Sequence, residues 1–210
     1  RMQTAAPELI DLSKENASTL KNYGVDRKDP GGGGRRKFGN THQDFARNCL
    51  LARRMVERGV RFINIIYASW DHHSQLDNEL KYNASVVDQP IAALIRDLKQ
   101  RGLLDSTLVI WGGEFGRMPF SEGVNAPGRN HNPYGFSMWM AGGGVKGGVS
   151  YGETDDFGFQ AVIDKVHLHD IHATTLQLMG LDHEALTYFH QGRQESLTDV
   201  HGRVIHEIIA

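Results

Sequence analysis

The sequence predicts an α/β protein with a largely parallel, buried sheet, and three observations carry that prediction. Amphipathic helical stretches alternate with short apolar runs along the chain, which is the rhythm of helix–strand units. The run Val60–Ala68 is too apolar and β-branched to be a half-exposed strand and reads as one buried on both faces. Ser106–Trp111 and Tyr134–Ala141 repeat that pattern further on.

In chain order, residues 8–22 place Leu9, Leu12 and Leu20 in a weak helical pattern that Gly24 stops. Arg27–Gly39 reads as a flexible surface loop, with four consecutive glycines and a basic Arg35-Arg36-Lys37 cluster. It lacks the lysine–hydroxyl ending of a phosphate loop. Asp44–Gly59 is an amphipathic helix with Phe45, Cys49, Leu50, Ala52, Met55 and Val56 on one stripe and Arg47, Arg53, Arg54 and Arg58 on other faces. Asp77–Gln100 is helical, with a break expected near Gln89-Pro90. Gly112–Pro133 is a long irregular stretch of the kind that is functional when it occurs inside a compact domain. His167–Gly180 is a helix with Asp170 as its N-cap. Thr187–Leu197 is irregular or β, and Val200–Ile209 a short strand or helix.

A net charge of −2 excludes a basic nucleic-acid footprint, and no apolar run approaches the length of a membrane span. The one cysteine, Cys49, permits no internal disulfide and reads as a small core hydrophobe. Eleven histidines is a high count, and several fall in stretches beside strands. Asp71-His72-His73 follows the first strand. Asp71 and His73, two residues apart, can face the same way and suit Zn²⁺, Mn²⁺ or Fe, while His72 points elsewhere as a supporting or substrate-facing group. The competing reading is a helix-capping Asp71 beside surface histidines. Glu114 follows the second strand and is either a ligand or the ion-pair partner of Arg117. Arg117 and Arg129 can clamp an anion. His131 lies in the loop before the third strand and is a third imidazole candidate. His167, His169 and His172 are explained without a metal by the cap at Asp170, and His42, His183, His190, His201 and His206 read as surface residues.

Long motifs run through residues 42–210: Cys49–Phe62, Trp-Asp-His-His at 70–73, Leu108–Pro119 with Trp-Gly-Gly-Glu-Phe-Gly-Arg, Gly-Arg-Asn-His-Asn-Pro-Tyr at 128–134, Ala141–Gly148 and Leu-Thr-Asp-Val-His-Gly at 197–202. In these the chain resembles the sulfatase-like bacterial family called domain of unknown function 1501, abundant in planctomycetes, and it resembles the C-terminal half of full members. That family is similar to the alkaline phosphatase and sulfatase superfamily. The resemblance implies a three-layer α/β/α sandwich with a mainly parallel sheet, occupying 42–210 behind an N-terminal segment of 1–41. It also implies a metal-dependent hydrolase of sulfate or phosphate esters, on small molecules or glycans, exported to the periplasm or beyond. The divalent metal is Zn, Mn, Ca or Fe, with Asp71, His73 and His131 as its ligands. Glu114 would serve a second metal whose imidazole is replaced by Phe115. The superfamily's nucleophile lies upstream of these residues, so the N-terminal half of the same protein is an expected partner. A catalytically degenerate binding module of the same fold is the alternative.

Overall fold

The computed structural model describes residues 7–29, 40–125, 127–199 and 201–210. They fall into two compact units: residues up to Thr107 with Phe120–Asn130, and Leu108–Pro119 with His131–Ala210.

The first unit is helical. Residues 7–10 form a helical turn, Leu12–Lys14 a 3₁₀ turn, and α1 covers Ala17–Tyr23. Asn16 caps α1 by accepting from the Thr19 amide at 2.7 Å. Gly24 ends it at φ 78, a left-handed conformation that glycine adopts without a Cβ penalty. The predicted helix over 44–59 is α2, Thr41–Glu57, with Phe45, Ala46, Cys49, Leu50 and Ala52 buried. Burial alone pushes the Cys49 thiol up to about 12, so it stays a protonated core group. The helix α3 runs unbroken from Leu76 to Gln100 and presents Val86, Val87, Ala93, Leu94 and Leu98 to the core. Pro90 interrupts nothing. It lies buried within α3, and packing of the helix on both sides outweighs its lost amide bond.

Two polar features of this unit differ from expectation. Arg53 and Arg54 are buried, not spread over outer faces. Arg53, 3% exposed, meets Glu15 at 2.7 Å, Glu57 at 2.7 Å and Asp97 at 3.0 Å. Arg54 meets Glu15 at 2.8 Å and donates to the Glu8 carbonyl. The two arginines thus fasten the N-terminal segment to α2. His42 is also buried rather than on the surface, against Ser85 Oγ at 2.9 Å. Burial and then the nearby Arg27 charge lower its pKa.

The Glu15 carboxyl gives a pH test. Burial raises its pKa, but the hydrogen bonds and charges of Arg53 and Arg54 outweigh that and hold it below its ordinary value. A depressed carboxylate contributes stability above its unfolded pKa and loses it as pH falls through that value towards the folded one. Thermal melts are therefore expected to show a drop in stability below about pH 4.5 that is smaller in Glu15→Gln than in the wild type.

The sheet prediction is overturned. Among the described residues there are four two-stranded sheets, each antiparallel, and no mainly parallel three-layer sandwich. The pairs are β1 (Val109–Trp111) with β4 (Trp139–Ala141), β2 (Gly116–Arg117) with β3 (His131–Asn132), β5 (Glu153–Thr154) with β6 (Ala161–Ile163), and β7 (Thr187–His190) with β8 (Arg193–Ser196). Val60–Ala68 forms no strand. Its exposure alternates, with Phe62 73% and Ile66 87% exposed, whereas a strand in the middle of a parallel sheet is covered on both sides. β-Branched content permits extended backbone but does not supply a ladder partner, which is a long-range property. β1 is likewise short and half-covered, with Ile110 39% and Trp111 40% exposed.

In the second unit α4, Leu168–Leu178, buries Ala173, Thr174 and Leu176. Its cap is His167, whose Nδ1 accepts from the His169 amide at 3.2 Å. Asp170 is the third helical residue and accepts from the His167 amide at 2.9 Å, completing a capping box, and from the Arg203 amide at 2.9 Å. No helix among the described residues is long and apolar enough to cross a membrane.

Candidate metal centre

The Trp70–Ser74 segment turns tightly just before α3. The His72 amide bonds to the Trp70 carbonyl and the His73 amide to the Asp71 carbonyl, each at 3.1 Å, a two-residue closure typical of γ-turns. The turn throws alternate side chains to opposite sides. His72 goes inward and is 6% exposed. Asp71 and His73 face solvent, with side chains 61% and 41% exposed. His73 Nε2 stands 3.1 Å from Asp71 Oδ1.

The second element is the 122–128 hairpin, closed by reciprocal backbone bonds between Glu122 and Gly128 at 3.0 and 2.9 Å. It docks on the turn through the Arg129 amide, which donates to the His72 carbonyl at 2.9 Å, and the Leu76 amide, which donates to the Pro127 carbonyl at 3.1 Å. Gly128 is needed for that approach: a Cβ there would land on the His73 carbonyl group. The hairpin delivers Glu122, whose Oε2 lies 2.9 Å from His73 Nδ1. His73 therefore has a carboxylate at each ring nitrogen.

Ligands of one ion bound at about 2.0–2.2 Å stand roughly 3–4 Å apart, so the 3.1 Å separation of Asp71 Oδ1 and His73 Nε2 fits two ligands of one ion. The two are exposed, 61% and 41% for their side chains, as donors of an open site are and those of a closed structural one are not. His131 lies on β3, in the second unit. His131 pairs with Arg117 across β2 and β3. Its ring packs on Phe115 with centroids 4.4 Å apart. Phe115 thus orients an imidazole instead of being one.

Glu114 is exposed. Arg117 and Arg129 have local partners. The Arg117 guanidinium sits over the Phe115 ring at 5.8 Å, and that of Arg129 donates to the Gly128 carbonyl at 2.8 Å. His72 is directed away from Asp71 and His73, towards α3. The residue that sequence reasoning missed is Glu122. It lies in an irregular stretch 49 positions from His73, and no spacing rule connects the two.

A family model described as a protein of unknown function, DUF1501, matches residues 1–209. The chain belongs to the DUF1501 family. No curated protein and no solved structure matches it. In this DUF1501 chain, Glu122 stands at His73 Nδ1, where an outer carboxylate would support a metal-binding histidine. An acceptor at Nδ1 fixes the proton there and leaves the Nε2 lone pair for the ion. Glu122→Gln is expected to weaken divalent metal binding about 10–100-fold while leaving the far-UV circular dichroism spectrum unchanged. Isothermal titration with Zn²⁺ and Mn²⁺ checks this.

Proposed function

We propose that Asp71, His73 and His131 bind one divalent metal ion, and that the protein is a metal-dependent hydrolase of sulfate or phosphate esters, related to the sulfatase-like enzymes. The observation that carries this reading is the exposed pair of Asp71 Oδ1 and His73 Nε2, 3.1 Å apart, with Glu122 2.9 Å from the other nitrogen of the ring. An ion held there would polarise an ester oxygen and stabilise the charge that develops on it in the transition state. The chain's own part is to supply three donors, leave the remaining positions open to substrate, and keep the His73 proton on Nδ1 through Glu122. Arg117 and Arg129 are the cations this reading assigns to the anionic ester group. It places the protein outside the cytoplasm.

One observation favours a second reading, a binding module that holds the metal without turnover. Phe115 stands where a second metal site would need an imidazole, and its ring is committed to His131. Elemental analysis of protein purified without chelators is expected to find about one Zn, Mn, Ca or Fe per chain, and metal-free protein would refute the centre. Assay of the protein at its natural length with aryl sulfates and aryl phosphates separates the two readings. Turnover that is lost with EDTA supports the hydrolase. Bound metal without turnover of either ester class supports the module.

A further inference from the structure

We infer that Asn83 is the positioning residue of this centre, holding the turn that aims Asp71 and His73; the inference rests on the metal reading above for its functional meaning. Asn83 lies on α3, 2% exposed and more than one helical turn beyond the loop it grips. Its amide nitrogen donates to the Ser69 carbonyl and lies 2.9 Å from His72 Nε2. A carbonyl only accepts, so the nitrogen must be the end of the amide that faces both partners. It follows that His72 Nε2 is an acceptor and that the neutral ring carries its proton on Nδ1. The amide oxygen accepts from the Tyr67 hydroxyl at 2.7 Å. Both amide protons and one acceptor site of Asn83 are thus committed.

These partners bracket the proposed ligands. Ser69 and His72 flank Asp71, and His72 immediately precedes His73. Ser69 is held at φ 81, in the left-handed region that a non-glycine residue occupies only under constraint. His72 in turn passes its carbonyl to the Arg129 amide at 2.9 Å, next to the hairpin that carries Glu122. One buried amide therefore ties the Ser69–His73 turn to a rigid helix, with its inward residue His72 as the handle and its outward residues as the donors. The amide of Asn83 is committed to Ser69, His72 and Tyr67, so it acts through the turn. Its removal would leave the buried His72 Nε2 without this partner, a cost that the turn would relieve by moving.

The test uses the isosteric Asn83→Asp, which cannot donate to Ser69 or His72, with two readouts. The first, on metal-free protein, is hydrogen exchange of the Arg129 amide. The second is the Kd for Co²⁺ with its visible absorption spectrum. Asn83→Asp is expected to exchange the Arg129 amide and release Co²⁺ at least about tenfold more readily, with an altered Co²⁺ spectrum and unchanged far-UV circular dichroism. His72→Gln, whose side-chain amide oxygen can take the acceptor's place, is expected to keep wild-type behaviour, and His72→Leu to lose it. If Asn83→Asp fails to fold, Tyr67→Phe decides the matter with the same readouts. Wild-type Arg129 exchange in the deciding variant overturns the positioning role, even if Co²⁺ affinity falls. Faster Arg129 exchange in a protein whose wild type takes up no Co²⁺ upholds the positioning role and refutes the metal centre.

Discussion

Asp71→Ala is expected to reduce bound divalent metal from about one ion per chain to background, and His131→Ala to do the same. Each change removes one of the three proposed donors. A centre with three protein ligands has no spare donor, and water replaces a lost carboxylate without its charge. The effect should exceed that of Glu122→Gln, which alters only the group behind a ligand. Asp71 is also a surface residue. Its side chain is 61% exposed, so its loss should leave thermal stability in metal-free protein nearly unchanged. Metal content by mass spectrometry and melting with and without Zn²⁺ measure both. A stabilisation by Zn²⁺ that persists in Asp71→Ala would place the ion elsewhere.

How far the sequence reaches depends on the range of the interaction involved. Asp71 and His73 come together because their two-residue spacing is local, and helix α2 with Cys49 and Leu50 on its inner stripe is readable from a 3.6-residue period. Gly24 ends α1 for a similarly local reason. The errors are long-range. Val60–Ala68 has strand composition, yet neither a ladder partner nor a covering layer can be read from composition, and the segment remains half exposed. β1 pairs with β4 antiparallel, Ile110 opposite Met140, a partner far along the chain that neither run specifies. Glu122 was invisible for the same reason, since only the Glu122–Gly128 hairpin brings it to His73. The family itself was legible, because its motifs are long and contiguous.

The largest loss of stability is expected at Arg53, a residue whose charge would assign it to the surface. Its side chain is 3% exposed and serves three carboxylates from three segments: Glu15 before α1, Glu57 at the end of α2 and Asp97 on α3. Asp97 also accepts from the Tyr23 hydroxyl at 3.0 Å and pairs with Arg101, which reaches Glu57 at 2.7 Å. The guanidinium is the centre of this network because it offers five donors in a plane. Burial opposes its charge, but the bonds to Glu15 and Glu57 prevail and raise its pKa further. Whether the intact network stabilises the fold more than an apolar cluster would is not what decides the mutant. Arg53→Ala leaves three carboxylates facing a cavity, and breaking a buried pair from one side costs about 3–5 kcal/mol. At roughly 2–4 °C per kcal/mol for a chain of this length, the melting temperature should fall by about 10 °C. Arg53→Lys retains the charge but cannot reach three partners in fixed directions, and should recover only part of the loss. By contrast, Arg193 pairs with Glu195 at 69% exposure, where solvent screens the pair, and Arg193→Ala should leave the melt unchanged. Equal melting of Arg53→Ala and Arg193→Ala would show that the buried network contributes nothing to holding the N-terminal segment on α2 and α3.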